Sequence, residues 1–321
     1  MTTMTFKPFV PHEQVYADMT ALHNRYWPRS PRTVEQIKQE DSQWEAALYR
    51  ERILLYDGDH RMLGFGSVFQ APWSDIPNKL FIEATIDPDL NGTDIEATFF
   101  ARLMERARHR EAISVVSGTY QDRTDRIALI QRYGFEWEAT FAKSEQDVTA
   151  FPMEQFAPVI ERVQQQGITF ATEVDLRQRH DDYVKRAWEL AWDVEQDMPS
   201  PDPPRQTPLE VFQTWLDTDL RRLPEAAFFA LDGDRYIGLT TLETLGDDGS
   251  VLGVGITGIR RTYRRRGVAT ALKVMATAFA REYGATSIRT TNEENNPMFG
   301  LNIKLGFKPT PAWVSFVKPF T

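Results

Sequence analysis

The sequence predicts a mixed α/β (α+β) fold laid down twice in tandem. Strands and helices mix in each half of the 321 residues, and that length suits two domains of ordinary size. Three landmarks also recur in order. Leu54–Asp59 leading into Met62–Gly66 returns as Phe229–Asp234 leading into Tyr236–Thr240; each is an apolar strand, an Asp-Gly turn and a second strand, a hairpin signal. Ile86-Asp87-Pro88 before a helix returns as Ile259-Arg260-Arg261 before a helix, and Tyr133-Gly134-Phe135 as Leu305-Gly306-Phe307. The offsets are 175, 173 and 172 residues. One such pair arises by chance; three in order point to a duplicated domain, with expected extents 1–150 and 151–321.

The seam falls near Phe151-Pro152. Phe141 to Val148 reads as a closing strand, Met153 to Gln166 as an amphipathic helix ending at Gly167, and Ile168 to Thr172 as the strand opening the second half. Val251 to Ile259, rich in Gly, Val and Ile, reads as a buried strand. Val268, Leu272, Met275, Phe279 and Tyr283 then recur at helical intervals, closed by Gly284 as a C-terminal cap. Trp188 and Trp192 also fall at helical spacing and read as core. Asp197 to Pro204 is rich in proline and turn formers and too short for a domain linker, so it reads as a loop between two helices of the second half.

Composition narrows the function classes. With 41% hydrophobic and 12% aromatic residues the chain can bury a proper core. The absence of cysteine excludes disulfides, a cysteine nucleophile and thiolate metal sites. His12, His23, His60, His109 and His180 show no metal-ligand spacing, and no metal is expected. The start, Met1 to Phe6, lacks the pattern of a signal peptide. No apolar run approaches the ~20 residues that cross a bilayer, so a cytoplasmic protein without a membrane partner is expected. A formal net charge of −9 opposes bulk nucleic-acid binding.

The arginine run is a local exception. Arg260, Arg261, Arg264, Arg265 and Arg266 fall within seven positions and end at Gly267, which opens a helix. Free N–H groups at a helix start, a glycine that lets an oxygen approach and fixed positive charge together make a phosphate cradle. The first-turn dipole contributes ~0.3–2 kcal/mol, and one partly shielded arginine up to ~4 kcal/mol of raw Coulomb energy. On charge alone the run is a solvated basic turn. Its strand-to-helix context favours a phosphate site.

This turn resembles the central signature of the GNAT superfamily of acetyl-CoA-dependent N-acetyltransferases, Gln/Arg-x-x-Gly-x-Gly/Ala, with Arg264, Gly267 and Ala269 in its fixed positions. Thr291 to Met298, and then Leu301 to Phe307, are similar to the family's next strand, Asn-started helix and Gly-Phe turn. The tandem layout and the asparagine-rich stretch resemble mycothiol synthase and its relatives. The resemblance implies two tandem GNAT-like domains, each a central mixed, mostly antiparallel sheet flanked by helices. It implies acetyl-CoA as acyl donor in the second half and a small-molecule amine as acceptor. The acyl arm would run along Ile256, Thr257, Gly258 and Ile259. The turn from Arg264 through Arg265, Arg266, Gly267, Val268 and Ala269 to Thr270 would hold the pyrophosphate through main-chain N–H groups. Asn295 would touch the pantetheine arm, and N–H groups near Gly255 to Thr257 would receive the oxyanion.

One departure matters. Many family members carry a tyrosine, the acid for the leaving thiolate, where this chain has Asn302. An amide can steady a thiolate but cannot supply a proton; the competing reading is a packing amide. Attack also needs a neutral amine, and a Lys-like amine at pH 7 is neutral about once in ~2,500 molecules. A general base is therefore expected. Glu243, on the strand after Gly238, is the first candidate and Asp197 the second, each competing with an ordinary surface carboxylate.

Aligned without gaps, the first-half turn replaces Arg264, Gly267 and Ala269 by Asn91, Asp94 and Glu96, and Ile130 stands where the family's tyrosine would. Two carboxylates there oppose a pyrophosphate. The first half is thus expected to be a degenerate copy, structural or a wall of the acceptor pocket. The leading function is an N-acetyltransferase acting on the primary amine of a small molecule. Its rivals are an acyl-CoA-binding module without turnover and a nucleic-acid-binding protein. Oligomeric state stays open, with a monomer the simplest case.

Overall fold

The computed structural model describes residues 4–246 and 248–320, so Met1 to Thr3 of the segment read for a signal peptide lie outside the described residues. In chain order the elements are β1 (Thr5–Pro8), α1 (Glu13–Tyr26), α2 (Val34–Ser42), β2 (Arg50–Tyr56), β3 (Met62–Gln70), β4 (Lys79–Ile86), α3 (Asp94–His109), β5 (Ser114–Tyr120), α4 (Thr124–Arg132) and β6 (Glu136–Asp147). There follow α5 (Met153–Gln164), β7 (Ile168–Thr172), α6 (Glu173–Arg179), α7 (Tyr183–Glu195), α8 (Leu209–Thr218), β8 (Arg222–Asp232), β9 (Arg235–Leu245), β10 (Val251–Ile259), α9 (Val268–Tyr283), β11 (Ser287–Glu293), α10 (Pro297–Lys304) and β12 (Lys308–Pro319). Single 3-10 turns at Pro88–Leu90 and Arg261–Tyr263 precede α3 and α9. The class is the mixed one expected, and among the described residues no helix is long and apolar enough to cross a membrane.

The chain divides into two compact units. One holds residues 1–141, 201–205 and 311–321; the other holds 142–200 and 206–310. In the first unit the strands run β1-β2-β3-β4-β5-β12. All neighbours whose register is defined are antiparallel except β4 and β5, which pair in parallel from Lys79↔Ser114 to Ile82↔Ser117. Its closing strand is the end of the chain, with Trp313 opposite Tyr120 and Pro319 opposite Ser114. Helix α3 lays Phe99, Phe100, Leu103, Met104 and Ala107 on one face, where Ile53, Leu55, Ile82, Ile86 and Val115 complete the core. That is helical spacing meeting the alternation of strands.

The second unit repeats the plan as β7-β8-β9-β10-β11-β6. Its closing strand is β6, whose residues 142–147 belong to this unit while 136–141 belong to the first; the sequence reading assigns the strand to the first half. Each half of the chain thus supplies the last strand of the other unit's sheet. Alternation within a strand reports which face is buried and says nothing of which neighbour it joins. Helix α9 covers one face through Val268, Ala271, Leu272, Val274, Ala276 and Ala280. The expected stripe therefore holds at Val268 and Leu272 and then drifts outward: Tyr283 is exposed and stacks on Phe279 at the rim. On the opposite face, Leu176 of α6, Tyr183, Ala187, Leu190 and Val194 of α7 and Leu216 of α8 pack on Phe229, Leu231, Tyr236 and Leu239.

The proline-rich loop does lie between α7 and α8. Its segment 201–205, however, packs within the first unit. There Lys79 binds Asp202 and also Glu138, the latter at 2.7 Å, with all three side chains buried or nearly so. Arg205 forks onto Glu45 at 3.0 and 2.6 Å and also donates to the Pro72 carbonyl at 3.0 Å. Removing the central cation takes the shared positive charge from two carboxylates that are buried or nearly so. Lys79→Met is therefore expected to lower stability by about 3–5 kcal/mol, read from urea unfolding at pH 7. A loss under about 1 kcal/mol would show that the trio does not act as a buried unit.

Candidate active site

At the turn into α9 the backbone takes two left-handed steps, Arg265 at φ 66° and Gly267 at φ 87°. The first intrahelical bond runs from Ala271 N–H to the Gly267 carbonyl at 2.9 Å, and no side chain caps this terminus. The N–H groups of Val268, Ala269 and Thr270 are left without an intrahelical acceptor at the positive end of a 16-residue helix. Gly267 is required for a different reason than the sequence reading gives. A Cβ there would meet Val163 at 3.4 Å and Val159 at 3.7 Å, ordinary contacts with α5. The positive φ demands glycine.

The arginines do not form one open positive patch. Arg260 pairs with Asp193 at 2.8 Å. Asp197 accepts from Arg261 Nε at 2.7 and 2.9 Å and also binds Arg264, whose Nε in turn donates to the Ile259 carbonyl at 3.0 Å. Arg266 lies over the Tyr263 ring at 5.0 Å. Among the described residues no carboxylate pairs with Arg265 or Arg266, which leaves those two guanidinium groups for a ligand. The same bonds remove Asp197 as a candidate base. Hydrogen bonds from Arg261, with Arg264 beside it, hold its carboxyl below the usual carboxylate range, and a weakened base locked between two cations takes no proton at neutral pH.

Strand β10 carries the site inward. Its parallel pairing with β11 covers only Val251, Leu252 and Gly253. On its other side the register with β9 breaks between Val254 and Thr257, a bulge. Gly255 is exposed there, and Ile256 N–H turns to the Thr241 hydroxyl at 3.1 Å. Thr257 shares a hydroxyl hydrogen bond of 2.7 Å with Thr240. Gly258 lets α7 lie against the strand, since a Cβ would drive into Val194; Ile259 is buried at the strand's end.

The bulge opens onto a cavity of about 390 Å³, lined entirely by residues of the second unit. Its walls are apolar and aromatic, with Met198, Phe212, Trp215, Phe229, Leu239 and Leu242 among them. Among its charged groups, Arg222 is held by Glu173 and donates to the Leu216 carbonyl. Two carboxylates remain, Glu243 and Glu195. Burial pushes the Glu243 carboxyl up from its ordinary range, and it pushes Glu195 from 4.5 up to about 6. Glu243 is the residue selected from sequence. Glu195 is the one missed: it ends α7, two positions before Asp197, and no motif marks a helix end that abuts a cavity.

The two asparagines sit differently. Asn295 is exposed, and its side chain and main chain both donate to Glu293, at 2.9 and 2.8 Å. The cap of α10 is its neighbour, with Asn296 accepting from Met298 N–H at 2.9 Å. Asn302 has no accessible surface. Its Nδ2 donates to Asn292 Oδ1 at 2.7 Å, and its main-chain carbonyl accepts from Leu305 and Phe307. A side chain that offers no surface in the absence of a ligand cannot touch a thiolate, so in this conformation Asn302 is the packing amide of the two readings.

The first unit carries the same scaffold with its openings closed. The caps place Thr93 where the second unit has Gly267, so the turn after the 3-10 element is one residue shorter than the ungapped alignment assumes. Glu96 occupies the cradle: its carboxylate accepts from Gly92 N–H at 2.8 Å and from Arg126 at 3.0 Å, with both charged side chains buried. Beyond the last β4–β5 pair, Trp27 donates to Thr85 of β4 at 3.0 Å and packs on Tyr120 of β5 and on Trp313 at 5.8 and 5.5 Å. Among the described residues of the chain, no group of three or more His, Asp or Glu could hold a metal.

The upward shift of the Glu195 carboxyl predicts a pH signature. Its folded value lies above the unfolded one, so the folded state binds more protons between about 4.5 and 6. Its contribution is favourable below that window and is lost as pH rises through it; at pH 8 the buried charge costs about 2 kcal/mol. Glu195→Gln is expected to gain about that much over wild type at pH 8 and nothing at pH 4, read from denaturant midpoints. Equal stability at pH 8 would place the carboxylate in water.

Residues 186–307 match the model of the acetyltransferase (GNAT) family. No curated protein matches the sequence. Among solved structures, a tandem GNAT protein from the clavulanic acid biosynthesis pathway is similar at 16% identity and a TM-score of 0.75, over 99% of this chain and 98% of that one. A GCN5-related N-acetyltransferase from Sphaerobacter thermophilus is similar at 16% identity and a TM-score of 0.67, over 98% and 95%. FemX follows at 11% identity and 0.57, over 98% and 97%. At these identities the likeness is one of fold. The family match is confined to residues 186–307, which carry the cradle and most of the cavity wall, and it identifies that stretch as a GNAT acetyltransferase family domain.

Proposed function

We propose that the second unit transfers an acetyl group from acetyl-CoA to the primary amine of a small molecule by direct attack. The observation that carries this reading is the course of β10. One strand supplies unpaired backbone at a bulge, borders a cavity holding a half-buried carboxylate, and leads through the arginine turn into an uncapped helix terminus. The N–H groups of Val268, Ala269 and Thr270, with Arg265 and Arg266, suit a pyrophosphate. The open edge of β10 from Val254 to Ile259 suits the amide-bearing arm of the donor, and the exposed bulge at Gly255 suits the thioester.

The chemistry asked of this chain is modest. Glu243 takes one proton from the incoming ammonium, and the neutral nitrogen attacks the thioester carbonyl carbon. The C–N bond forms, the C–S bond breaks, and the second proton goes to the departing thiolate, which leaves as free thiol. Asn302 is out of reach for that last step, so water delivers the proton. The first unit, with Glu96 and Trp27 in its openings, is assigned a structural role. Thiol release on adding acetyl-CoA and candidate amines tests the whole reading; stoichiometric CoA binding with no thiol release from any amine would leave only a binding module.

The donor site predicts one CoA per chain by calorimetry. Gly267→Asp adds negative charge at the cradle and a side chain at φ 87°, and should weaken CoA binding by roughly 100-fold or more, about 3 kcal/mol, with circular dichroism unchanged. Unaltered affinity in a folded variant would make the turn a surface loop. At the base, Glu243→Gln should lower kcat by about 10²–10⁴ while leaving CoA affinity within a few-fold. The wild-type rate should rise with pH through a value above the ordinary glutamate range, because the active form is the ionised one. A pH profile shared by Glu243→Gln and wild type would assign the base elsewhere.

A further inference from the structure

The cavity has a charge balance that the transfer reaction does not require. Four ionisable side chains other than tyrosine line it, and two of these, Glu173 and Arg222, neutralise one another. Glu243 and Glu195 have no hydrogen-bonded or ion-paired cation among the described residues, although one base suffices for the chemistry. Glu195 is also placed where a negative charge is least favoured. It is the last residue of the 13-residue helix α7, whose final turn carries no basic residue, so the helix dipole and the unpaired terminal carbonyls add to its field. A half-buried carboxylate at a helix C-terminus, facing a cavity, is stabilised by a cation brought in from outside. The remaining walls, Ala187, Ala191, Met198, Phe212, Trp215 and Leu223, offer apolar surface.

We infer that the acceptor is a diamine with an apolar spacer, one ammonium held at Glu195 while the other amine is delivered to Glu243 beside Gly255 and Ile256. This rests on the acetyl-transfer reading of the same site. An amino acid or other carboxylate-bearing amine is disfavoured, because the lining's one cation, Arg222, is already bound. Acetylation removes one of the two positive charges, so the product fits the balance less well than the substrate and leaves. Glu195 is thus a specificity residue, touching the far end of the substrate and taking no part in bond making.

The test is a series sharing one spacer: 1,6-diaminohexane, hexylamine and 6-aminohexanoate, titrated against the full chain while tryptophan emission is followed. Trp215→Phe assigns the signal to the cavity wall. The diamine should bind at least 10-fold more tightly than hexylamine, and 6-aminohexanoate more weakly than either. Glu195→Gln should bring the diamine to within about two-fold of the monoamine, and Glu195→Asp should keep most of the preference. Equal binding of all three, or a preference that survives Glu195→Gln, would overturn the inference. Binding and turnover separate the two readings. A diamine that binds through Glu195 but releases no thiol from acetyl-CoA defeats the transfer reading alone. An amine that is acetylated while the diamine does not bind defeats the diamine inference alone.

Discussion

Parallel pairing between β10 and β11 stops at Gly253, and the second unit is organised by what β10 does beyond that point. Backbone groups released from a ladder need other partners. Here the Thr241 hydroxyl takes one of them, at Ile256, while the bulge turns Gly255 outward. Had the strands stayed together to Ile259, the sheet would have no opening for an acyl arm. Glycine appears at the points of closest approach: Gly258 admits α7 to the strand, and Gly267 supplies the left-handed step into α9. The cavity and the cradle are two consequences of one interrupted ladder.

The first unit shows what that interruption becomes when nothing must enter it. Its β4 and β5 also part early, after Ile82 and Ser117. Trp27 bridges the gap with Tyr120 and Trp313, and Gly118 exists there because Trp313 leaves no room for a Cβ. At the helix start, the Glu96 carboxylate lies where an anionic ligand would, with Arg126 as its cation. A substituted side chain thus reproduces the electrostatics of a bound anion and stabilises the unit by itself.

Local pattern carried much of this into the sequence. The bounds of β7, β10 and α9 follow from apolar periodicity and from Gly284, and the Arg-to-Gly turn was visible as a strand-to-helix junction. The place of Glu243 on β9, the strand beside β10, was legible from its position after Gly238. What stayed hidden depended on partners distant in sequence. The exchange of closing strands is one case, since the Phe141–Val148 segment read simply as the last strand of the half it follows. The pairing of Arg260, Arg261 and Arg264 is another, because a charge run gives no account of acids more than 60 positions away. Asn302 fits a motif position and yet is sealed from it, and Glu195 had no motif at all.

The acids at the end of α7 join these observations. Asp193, Glu195 and Asp197 alternate, and their roles alternate with them: Asp193 holds Arg260, Asp197 holds Arg261 and Arg264, and Glu195 between them faces the cavity. Three of the five arginines therefore fix the turn in place instead of meeting a ligand. That is consistent with a cradle whose selectivity rests on backbone N–H groups, since such donors need a rigid turn more than they need extra charge. The same helix end sets the field at the cavity lined by Glu195 and Glu243. A shift of α7 along β10 at the Gly258 contact would move the donor turn, through its ion pairs, and the Glu195 carboxylate together. In the proposed reaction one element would thus position both the donor turn and the acceptor cavity, with the bulge between them held from both sides.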